Sequence, residues 1–559
     1  MAPKEGEVTV SHQWIINEVE EEKRDWIGRQ LNISPLLATI LVGRGFDDPA
    51  QAERFLEPKI TDLNDPFLLP DIDVAVGRIR KAIIDQQKIL VFGHDDTDGA
   101  TSVTVMRETL KELGARADYY IPDRTTAGYG FRRDTLKRFK RDRYGLIITV
   151  DSESSDFPGI EMANELGIDV VITDHHEIQG GLPHALAVIN PKRGDSRYPF
   201  RSLAGVGVAY QLSRALTGDS DFDFFRHIDL TALGTIADRV PLVEDNRIFS
   251  RLGDERLGAS TRPGIVALRR LLGPGASAQE MNGALKFGQN HRGQFSSATL
   301  LQTGDPEQAR TIAEELIETS RAKRQETQGA CERVVERVRE ERLFETPVII
   351  VIDREAPIRA LGACASMIRR LYGQPVVVIG FNDGRVVGEG RAPTGFDIFA
   401  AFQYCEDLFV QYGGHRGAGG FSMEAGHLEE FRQKVNQYAR EITSWRLAPP
   451  YLRIDAVLDP ARLQGDEPGY LQRLSPFGQA NANPQFCCYR AQVEIVEHPG
   501  EDGTLGRING IPFRLSEGRS MRSNLLATLS SARLADVAYN LILGAQGGLV
   551  LAVEDVKVA

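Results

Sequence analysis

Residues 88–99 read Lys-Ile-Leu-Val-Phe-Gly-His-Asp-Asp-Thr-Asp-Gly, an apolar run that ends in an acidic turn. Two further runs rich in valine and isoleucine, at 146–150 and 170–173, are also short and bounded by polar residues or glycine. Amphipathic helical stretches separate the three runs. Strands that alternate with helices predict a parallel sheet, so the expected fold class is α/β.

Each predicted strand is followed by acidic or histidine residues, namely Asp96 and Asp98 with His94, then Asp151, then Asp174, His175 and His176. The carboxyl ends of parallel strands meet at one edge of a sheet, where α/β enzymes place their chemistry. Carboxylates with some imidazole are what Mn²⁺ and Mg²⁺ accept as ligands. The pattern therefore predicts a metal site at this edge.

A fourth acidic residue, Asp238, closes the apolar helix predicted at 230–237, where a charge is costly unless it is paired or bound to a metal. Taken singly, an acidic turn is more often an exposed loop or a helix cap, and adjacent histidines are often incidental. Their placement at successive strand ends is what favours the metal site over these plainer interpretations.

Length, composition and charge set wider limits on the function. A chain of 559 residues is long enough for three or four domains. The net charge of −12 disfavours a uniformly basic protein that coats duplex DNA, but it allows a local basic channel. The apolar runs are too short to cross a bilayer, the start of the chain resembles no export signal, and the five cysteines show no CxxC spacing. We therefore expect a cytoplasmic protein that does not bind membranes.

Five segments follow from changes in pattern along the chain. They are an N-terminal helical segment (1–75), an α/β domain (76–250), a helical connector (251–345) with a long helix at 309–342, a second α/β domain (346–445) and a C-terminal β-barrel (446–559). Within the second α/β domain, residues 397–411 are predicted to form a helix, and the glycine-rich run 413–420 is predicted to be a loop or tight turn after it.

The order of these motifs resembles the DHH superfamily of phosphoesterases and, within it, the RecJ family. The resemblance is carried by residues 91–102, 149–151, 173–177 and 229–242, and it extends from about residue 40 to the end of the chain. It implies a parallel-sheet DHH domain at 76–250, an α/β DHHA1 domain at 346–445 joined by the long helix, and a C-terminal OB-type barrel. It also implies two bound ions, Mn²⁺ or Mg²⁺.

The resemblance assigns roles to particular residues. It implies metal ligands at His94, Asp96, Asp98, Asp151, His175 and Asp238, catalytic residues at Asp174, His175 and His176, and substrate-binding residues at Arg391, Gly414, His415 and Arg416. Four positions in three motifs depart from the family pattern: His94 replaces an aspartate, Ser152-Glu153 replaces asparagine or cysteine followed by glycine, and Glu389 replaces a serine. A histidine is able to bind a metal at position 94, or it lies behind the ligands.

Barrels of the OB type bind single strands with stacked aromatics and a basic groove. The candidates in this chain are Phe486, Tyr489, Phe513, Arg507, Arg514 and Arg522. The alternative for each aromatic is a place in the barrel core.

The function that the resemblance implies is metal-dependent 5′→3′ exonuclease action on single-stranded DNA, with release of mononucleotides, in DNA repair and recombination. One alternative is a phosphodiesterase for short RNA or cyclic dinucleotides, and another is an inactive scaffold of the replication machinery. A monomer is the expected state. The sequence does not indicate the polarity, the choice of DNA or RNA, the preferred metal, or partners such as a helicase or a single-strand-binding protein.

Overall fold

The structure is a computed structural model, and it describes residues 12–558 except 124–129, 179, 219–222, 274, 383, 443–450, 464–466, 497–502, 516–524, 527, 531–532 and 544–547. It divides into two compact units. Unit I contains Phe46–Ser320 and Gly469–Asn483, and unit II contains Met1–Gly45, Arg321–Pro468 and Pro484–Ala559. Among the described residues no helix combines the length and the apolar character needed to cross a membrane.

The first half of the chain alternates helices with short strands. In chain order, its first elements are β1 (Gln13–Ile16), α1 (Glu21–Leu31), α2 (Pro35–Gly43), α3 (Pro49–Leu56), α4 (Ile72–Ile84), β2 (Lys88–Phe92), α5 (Thr97–Glu112) and β3 (Arg116–Tyr120). Next come α6 (Arg133–Arg141), β4 (Tyr144–Val150), α7 (Phe157–Glu165), β5 (Asp169–Thr173), β6 (Ala187–Ile189), α8 (Gly205–Thr217), α9 (Ile228–Ala237), α10 (Glu244–Ala259), α11 (Pro263–Leu272), α12 (Ala278–Leu285), β7 (Asn290–His291), β8 (Gln294–Phe295) and α13 (Ser296–Gln302).

The remaining elements begin with the long helix. They are α14 (Pro306–Glu340), β9 (Ile349–Ile352), α15 (Ile358–Tyr372), β10 (Val376–Asn382), β11 (Arg385–Arg391), α16 (Ile398–Gln403), β12 (Phe409–His415), β13 (Ala418–Met423), α17 (Leu428–Ile442), β14 (Tyr451–Ile454), β15 (Ala456–Val457), α18 (Glu467–Gln472), β16 (Gln485–Ile495), β17 (Gly506–Ile508), β18 (Ile511–Leu515), β19 (Leu534–Leu543) and β20 (Leu549–Val558).

Unit I is built on a five-stranded sheet in the order β3-β2-β4-β5-β6, and every pairing in it is parallel. Alternate residues of β2 belong to two different cores. Ile89 and Val91 pack with residues of α4, α5 and α8, whereas Leu90 and Phe92 pack with residues of α6 and α7. Helices therefore cover both faces of the sheet, which is why its strands are almost entirely apolar. The predicted α/β fold is confirmed.

Unit II contains a second sheet in the order β12-β13-β11-β10-β9. Only β9 and β10 pair in parallel, and the other pairings are antiparallel. One core joins this sheet to α15 and to the last part of α14, and another joins it to α16 and α17. The division between the two units falls inside α14, after Ser320, so the predicted long helix is confirmed as the connection.

The end of the chain forms a barrel. Its sheet has the order β15-β16-β17-β18-β20-β19, and β16 also pairs with β19, which closes five strands into a ring. The N-terminal strand β1 pairs in parallel with β14, and the indole N–H of Trp14 donates a hydrogen bond to the Asp555 carboxylate at 2.8 Å. The predicted OB-like barrel is confirmed, with β1 as an addition from the other end of the chain.

One predicted helix is wrong in its second half. The helix predicted at 397–411 ends at Gln403, and residues 409–415 form β12 instead. The glycine-rich run that follows is a hairpin of β12 and β13 and not a loop, with Gly413 facing Gly420 and Gly414 facing Gly419. Several glycines in succession hide a strand from pattern reasoning because they carry no side chains to alternate.

Candidate metal centre

The metal cluster begins at the turn between β2 and α5. Asp96 is the N-cap residue of α5, and its carboxylate accepts a hydrogen bond from the Gly99 N–H at 2.9 Å. The Nδ1 atom of His94 lies 2.9 Å from the other oxygen of this carboxylate. A Cβ on residue 99 would lie 2.3 Å from the His94 carbonyl oxygen, so this tight turn requires glycine. The turn thus places His94 and Asp96 side by side.

Asp98 is buried in the first turn of α5, and the start of α8 holds its carboxylate. The two oxygens accept hydrogen bonds from the Gly205 N–H at 2.7 Å and the Val206 N–H at 2.9 Å. The unpaired N–H groups at a helix start favour negative charge. A Cβ on Gly234 of α9 would lie 2.8 Å from the Asp98 Oδ1 atom. Three helices therefore converge on one carboxylate, which the sequence motifs did not indicate.

His175 lies among three carboxylates. Its Nε2 atom is 3.0 Å from Asp151 Oδ1 and 3.8 Å from Asp98 Oδ2, and its Nδ1 atom is 3.6 Å from Asp238 Oδ2. The imidazole is buried, and its Nε2 makes no hydrogen bond to any described residue. A buried nitrogen that faces carboxylates without a hydrogen bond is the geometry that shared cations would satisfy.

Asp174 organises the other side of the cluster. Its carboxylate accepts hydrogen bonds from the Ser154 N–H at 3.0 Å and from the His175 N–H at 2.7 Å, and it lies 2.7 Å from the His176 Nδ1. The His176 side chain is 54% exposed, whereas that of Asp174 is 2% exposed. Asp174 therefore orients the His176 ring from behind and leaves the Nε2 edge of that ring open to a ligand.

Burial and mutual repulsion raise the pKa values of three carboxyl groups in the cluster. Burial, together with the charges of Asp238 and Asp96, raises the pKa of Asp98 well above its ordinary value. Burial and the neighbouring aspartates likewise raise the pKa of Asp151. Burial and the Asp96 charge raise the pKa of Asp238 to about 6. So many close carboxylates are stable in their ionised form only with positive charge between them.

The two adjacent histidines respond in opposite directions. Burial and the charge of His176 lower the pKa of His175 to about 4. The hydrogen bond with Asp174 raises the pKa of His176 against the opposing effect of burial. Burial would raise the pKa of Asp174, but the hydrogen bond and charge of His176 outweigh it and leave that pKa lowered. At neutral pH His175 is therefore an uncharged imidazole, the form that binds a metal.

Three overlapping groups of side chains offer ligand atoms that all lie within 4.8 Å of one another. The groups are His94, Asp96 and Asp151; Asp98, His175 and Asp238; and Asp151, Asp174, His175 and His176. All six residues predicted as metal ligands belong to these groups, as do the predicted catalytic residues. The donor set of carboxylates and imidazoles fits two hard divalent cations, Mn²⁺ or Mg²⁺.

A cavity of 320 Å³ opens beside the cluster, between the carboxyl ends of β2 and β4. Its walls include His94, His176 and the turn 151–156, in which Asp151 and Glu153 both have positive φ angles of 61° and 84°. Burial and the nearby Asp156 carboxylate raise the pKa of Glu153 well above its ordinary value. In the sequence, Glu153 differs from the family pattern, but no motif places it in the site.

The predicted substrate-binding residues lie together in unit II, at one end of its sheet. Arg391 ends β11 opposite Ala418, and His415 ends β12 opposite the same residue. Gly414 has a φ of 143°, and a Cβ there would lie 2.4 Å from the Gly419 Cα, so this position requires glycine. The Nη1 of Arg391 donates to the Glu389 carboxylate at 2.9 Å, which occupies part of the guanidinium.

Some of the barrel residues predicted to bind single strands lie in its core, and others lie on its surface. Phe486 and Phe513 are fully buried and belong to the core, so they offer no ring to a base. Tyr489 is 51% exposed, and Arg507 and Arg514 are also on the surface. Arg522 lies outside the described residues.

Comparison with known proteins adds independent findings. Residues 88–235 match the family model "DHH family, N-terminal domain", and residues 344–441 match the model "DHHA1 domain". The single-stranded-DNA-specific exonuclease RecJ of Escherichia coli K12 is 30% identical over 81% of this chain and 83% of its own length. The protein of the same name from Dickeya dadantii is 30% identical over 91% of this chain and 93% of its own length.

The RecJ protein of Bacillus subtilis is 34% identical over 88% of this chain, which spans 63% of that longer protein. Among solved structures, the crystal structure of Thermus thermophilus RecJ in complex with Mn²⁺ superposes with a TM-score of 0.76. That comparison covers 98% of this chain and 80% of the other at 23% identity, and so it shows the fold alone. A crystal structure of exonuclease RecJ bound to manganese gives a TM-score of 0.58 at 26% identity and covers 68% of this chain and 96% of the other.

Proposed function

The chain belongs to the RecJ family of single-stranded-DNA-specific exonucleases, and from this premise we propose that it hydrolyses single-stranded DNA from the 5′ end and releases mononucleotides. The observation that carries the proposal is the cluster itself. Asp96, Asp98, Asp151, His175 and Asp238 come from separate parts of the chain, yet their ligand atoms form groups no wider than 4.8 Å. An inactive scaffold has no need to keep carboxylates this close against their repulsion.

Two divalent cations bound in such a cluster would neutralise the phosphate, lower the pKa of a water nucleophile and stabilise the leaving oxygen. Asp151 belongs to two of the three groups, so its carboxylate would help to hold the ions. His175 would bind a cation as a neutral imidazole, because its lowered pKa keeps it unprotonated. The hydrogen bonds from the start of α8 keep the Asp98 carboxylate in one orientation.

We propose that His176 donates a hydrogen bond to the scissile phosphate. Its raised pKa favours the protonated ring, and its exposed Nε2 edge lies next to the ligands. Asp174 accepts from Nδ1, which fixes the ring and leaves the Nε2–H as the donor to a phosphate oxygen. Residues Arg391, His415 and Arg416 of the DHHA1 domain are proposed to contact the DNA backbone, since a guanidinium is well shaped to grip a phosphate.

The biological setting is also a proposal. A nuclease of this type belongs in DNA repair and recombination, with single-stranded DNA as its substrate and partner. All five cysteines are free thiols, which supports a reducing compartment such as the cytoplasm. We propose a monomer, since each domain that the resemblance requires is present in one chain.

The test is digestion of single-stranded DNA, single-stranded RNA and duplex DNA, each labelled at the 5′ or the 3′ end, with Mn²⁺ present. The variants Asp174→Ala and His175→Ala test the site. His184→Ala is the matched control because its side chain, in the same unit, is 85% exposed. Thermal unfolding of each variant shows that it is folded.

We expect single-stranded DNA alone to be degraded, with label released as mononucleotides from the 5′ end. Activity should be lost in both site variants and kept in His184→Ala. Release from the 3′ end would overturn the polarity. Cleavage of short RNA alone would indicate a phosphodiesterase of the same superfamily. If the folded protein cleaves no substrate, the alternative of an inactive scaffold is favoured.

A further inference from the structure

A second and larger cavity lies on the other side of the metal cluster. It has a volume of 810 Å³ and is contained within unit I. Asp96, Asp98 and Asp238 form one wall. The facing walls come from α12 with the adjoining Lys286, and from residues 477–479. A cavity of this size beside the ligands has room for more than the reacting phosphate.

The segment 469–483 is distant in sequence from the rest of unit I, and a buried arginine fastens it there. Arg247 is 1% exposed. Its guanidinium donates to the carbonyl oxygens of Leu474 at 3.0 Å, Ser475 at 2.8 Å and Arg473 at 2.8 Å, and it packs on the Phe55 ring. The Arg247 side chain is itself buried, so losing these bonds would leave a charged donor unsatisfied.

Further bonds fix the part of the segment that reaches the cavity. The Leu242 N–H donates to the Gln479 carbonyl at 2.9 Å, and the Gln279 side chain donates to the Phe477 carbonyl at 3.2 Å. A Cβ on Gly478 would lie 2.8 Å from a methyl group of Leu242, so the backbone packs directly on that side chain. The backbone that carries the half-buried Phe477 is therefore held in a defined position at the cavity wall.

The charges around this cavity are divided between its walls. The carboxylates of the cluster lie on one wall, Lys286 lies on a facing wall, and Arg239 directly follows Asp238 in the chain; both cations are exposed. Neither cation forms an ion pair with another residue in the part of the chain that the structure describes. Cations without acidic partners, beside an aromatic ring, suit a polyanion whose bases stack, which is the chemistry of single-stranded nucleic acid.

We propose that the 810 Å³ cavity binds the nucleotides that adjoin the scissile phosphate, with a base stacked on Phe477 and backbone phosphates paired with Lys286 and Arg239. This inference rests on the proposed function and names the binding surface that goes with it. It gives residues 477–479, which the sequence prediction places only within the C-terminal segment 446–559, a direct part in holding the substrate.

The test compares full-length variants on two substrates. Phe477→Ala should raise KM for a short oligothymidylate about tenfold, which corresponds to one lost base stack, with a smaller change in kcat. Phe477→Ala should leave KM nearly unchanged for thymidine 5′-monophosphate p-nitrophenyl ester, because this substrate has no adjoining nucleotide. Phe477→Tyr should restore KM because it keeps the ring. The control is Phe225→Ala, a 41% exposed phenylalanine of the same unit.

The cations are tested through salt dependence. Lys286→Gln and Arg239→Gln should each reduce the slope of log affinity against log salt by about 0.7. Lys81→Gln is the control, since Lys81 is exposed and pairs with Asp85. Equal KM changes for Phe477→Ala and Phe225→Ala, or unchanged salt slopes, would overturn the inference. Oligothymidylate affinity, measured by fluorescence anisotropy without metal, separates this failure from failure of the proposed cleavage.

Discussion

His175 and His176 are neighbours with identical side chains, but their surroundings give them opposite properties. His175 is buried among carboxylates and has its pKa lowered to about 4, whereas the hydrogen bond with Asp174 raises the pKa of His176. The first is therefore suited to bind a cation, and the second to donate to a phosphate. The sequence resemblance predicts metal binding for His175 and a catalytic role for both residues, and their contacts supply a physical reason for dividing the two roles.

A buried histidine outside the site predicts how stability depends on pH. Burial and the charges of Arg262 and Arg226 lower the pKa of His227 to about 3. The unfolded chain takes up a proton near the ordinary pKa of about 6.5, whereas the folded protein does not, so folding stability falls as the pH drops below that value. We expect His227 to account for a loss of about 2 kcal/mol between about pH 7 and pH 5.

His227→Gln should remove this part of the acid sensitivity, which urea unfolding at the two pH values will measure. The control is His184→Gln, because His184 is on the surface. If the two variants lose the same stability on acidification, the buried state of His227 does not govern the response.

The contact between Glu389 and Arg391 leads to a prediction about DNA affinity. Its carboxylate binds the Arg391 guanidinium at 2.9 Å and so competes with a phosphate for the same donors. Glu389→Gln should therefore tighten binding of single-stranded DNA about twofold to fivefold and increase the salt slope by about 0.7. Fluorescence anisotropy across a salt series will measure both.

Glu424→Gln is the control for this change. Glu424 lies 3.8 Å from Arg385, which is on the same strand as Arg391, and both members of that pair are exposed. Equal responses of the two variants would mean that Glu389 acts only through the net charge of the domain.

At the scale of elements, the site depends on where helices begin. The start of α8 supplies two N–H groups to Asp98, and the start of α5 carries Asp96 as its N-cap residue. Glycines at 99, 205 and 234 remove the side chains that would keep these elements apart. The cluster is therefore a property of three packed helices as much as of the strand ends.

Two helices of unit II bring a pair of thiols together. The Sγ atoms of Cys331 in α14 and Cys364 in α15 lie 2.9 Å apart, and both cysteines are buried. A disulfide oxidant such as oxidised glutathione should link them, with two equivalents of reduced thiol released. Closing the 33-residue separation should stabilise the protein by about 4 kcal/mol. Peptide mapping without reductant and urea unfolding will test both expectations.

Cys331→Ser should abolish the link, whereas Cys405→Ser, at another buried thiol of the same unit, should keep it. Exclusive pairing of Cys487 with Cys488 would contradict the prediction.

At the scale of the molecule, the metal centre links ion binding to stability. Burial and mutual repulsion raise the pKa values of Asp98, Asp151 and Asp238, the last to about 6. Without metal, these groups stabilise the folded state at low pH, and that stability is lost as the pH rises through about 6. Cations then replace the protons. Mn²⁺ should therefore raise the thermal midpoint more at about pH 8 than at about pH 5.

Asp98→Asn measured at both pH values is the comparison for this prediction, since it removes one of the three charges and should reduce the Mn²⁺ effect at the higher pH. If Mn²⁺ raises the thermal midpoint of the unsubstituted protein equally at the two pH values, the ions bind elsewhere.

The sequence by itself determined the parts of this protein that depend on neighbouring residues. The three predicted strands are present, at 88–92, 144–150 and 169–173, because a short apolar run bounded by polar residues or glycine is a local pattern. The predicted metal ligands that follow strands lie close together, because parallel strands direct their carboxyl ends to one edge, whereas Asp238 joins them from the end of α9.

The tertiary structure alone decided the features that join distant residues. These are the pairing of β1 with β14, the return of residues 469–483 to unit I through Arg247, and the burial of Phe486 and Phe513 in the barrel. It also turned the second half of the predicted helix at 397–411 into β12. Each of these depends on a partner far along the chain, and local patterns carry no information about which distant surface will bury a residue or complete its hydrogen bonds.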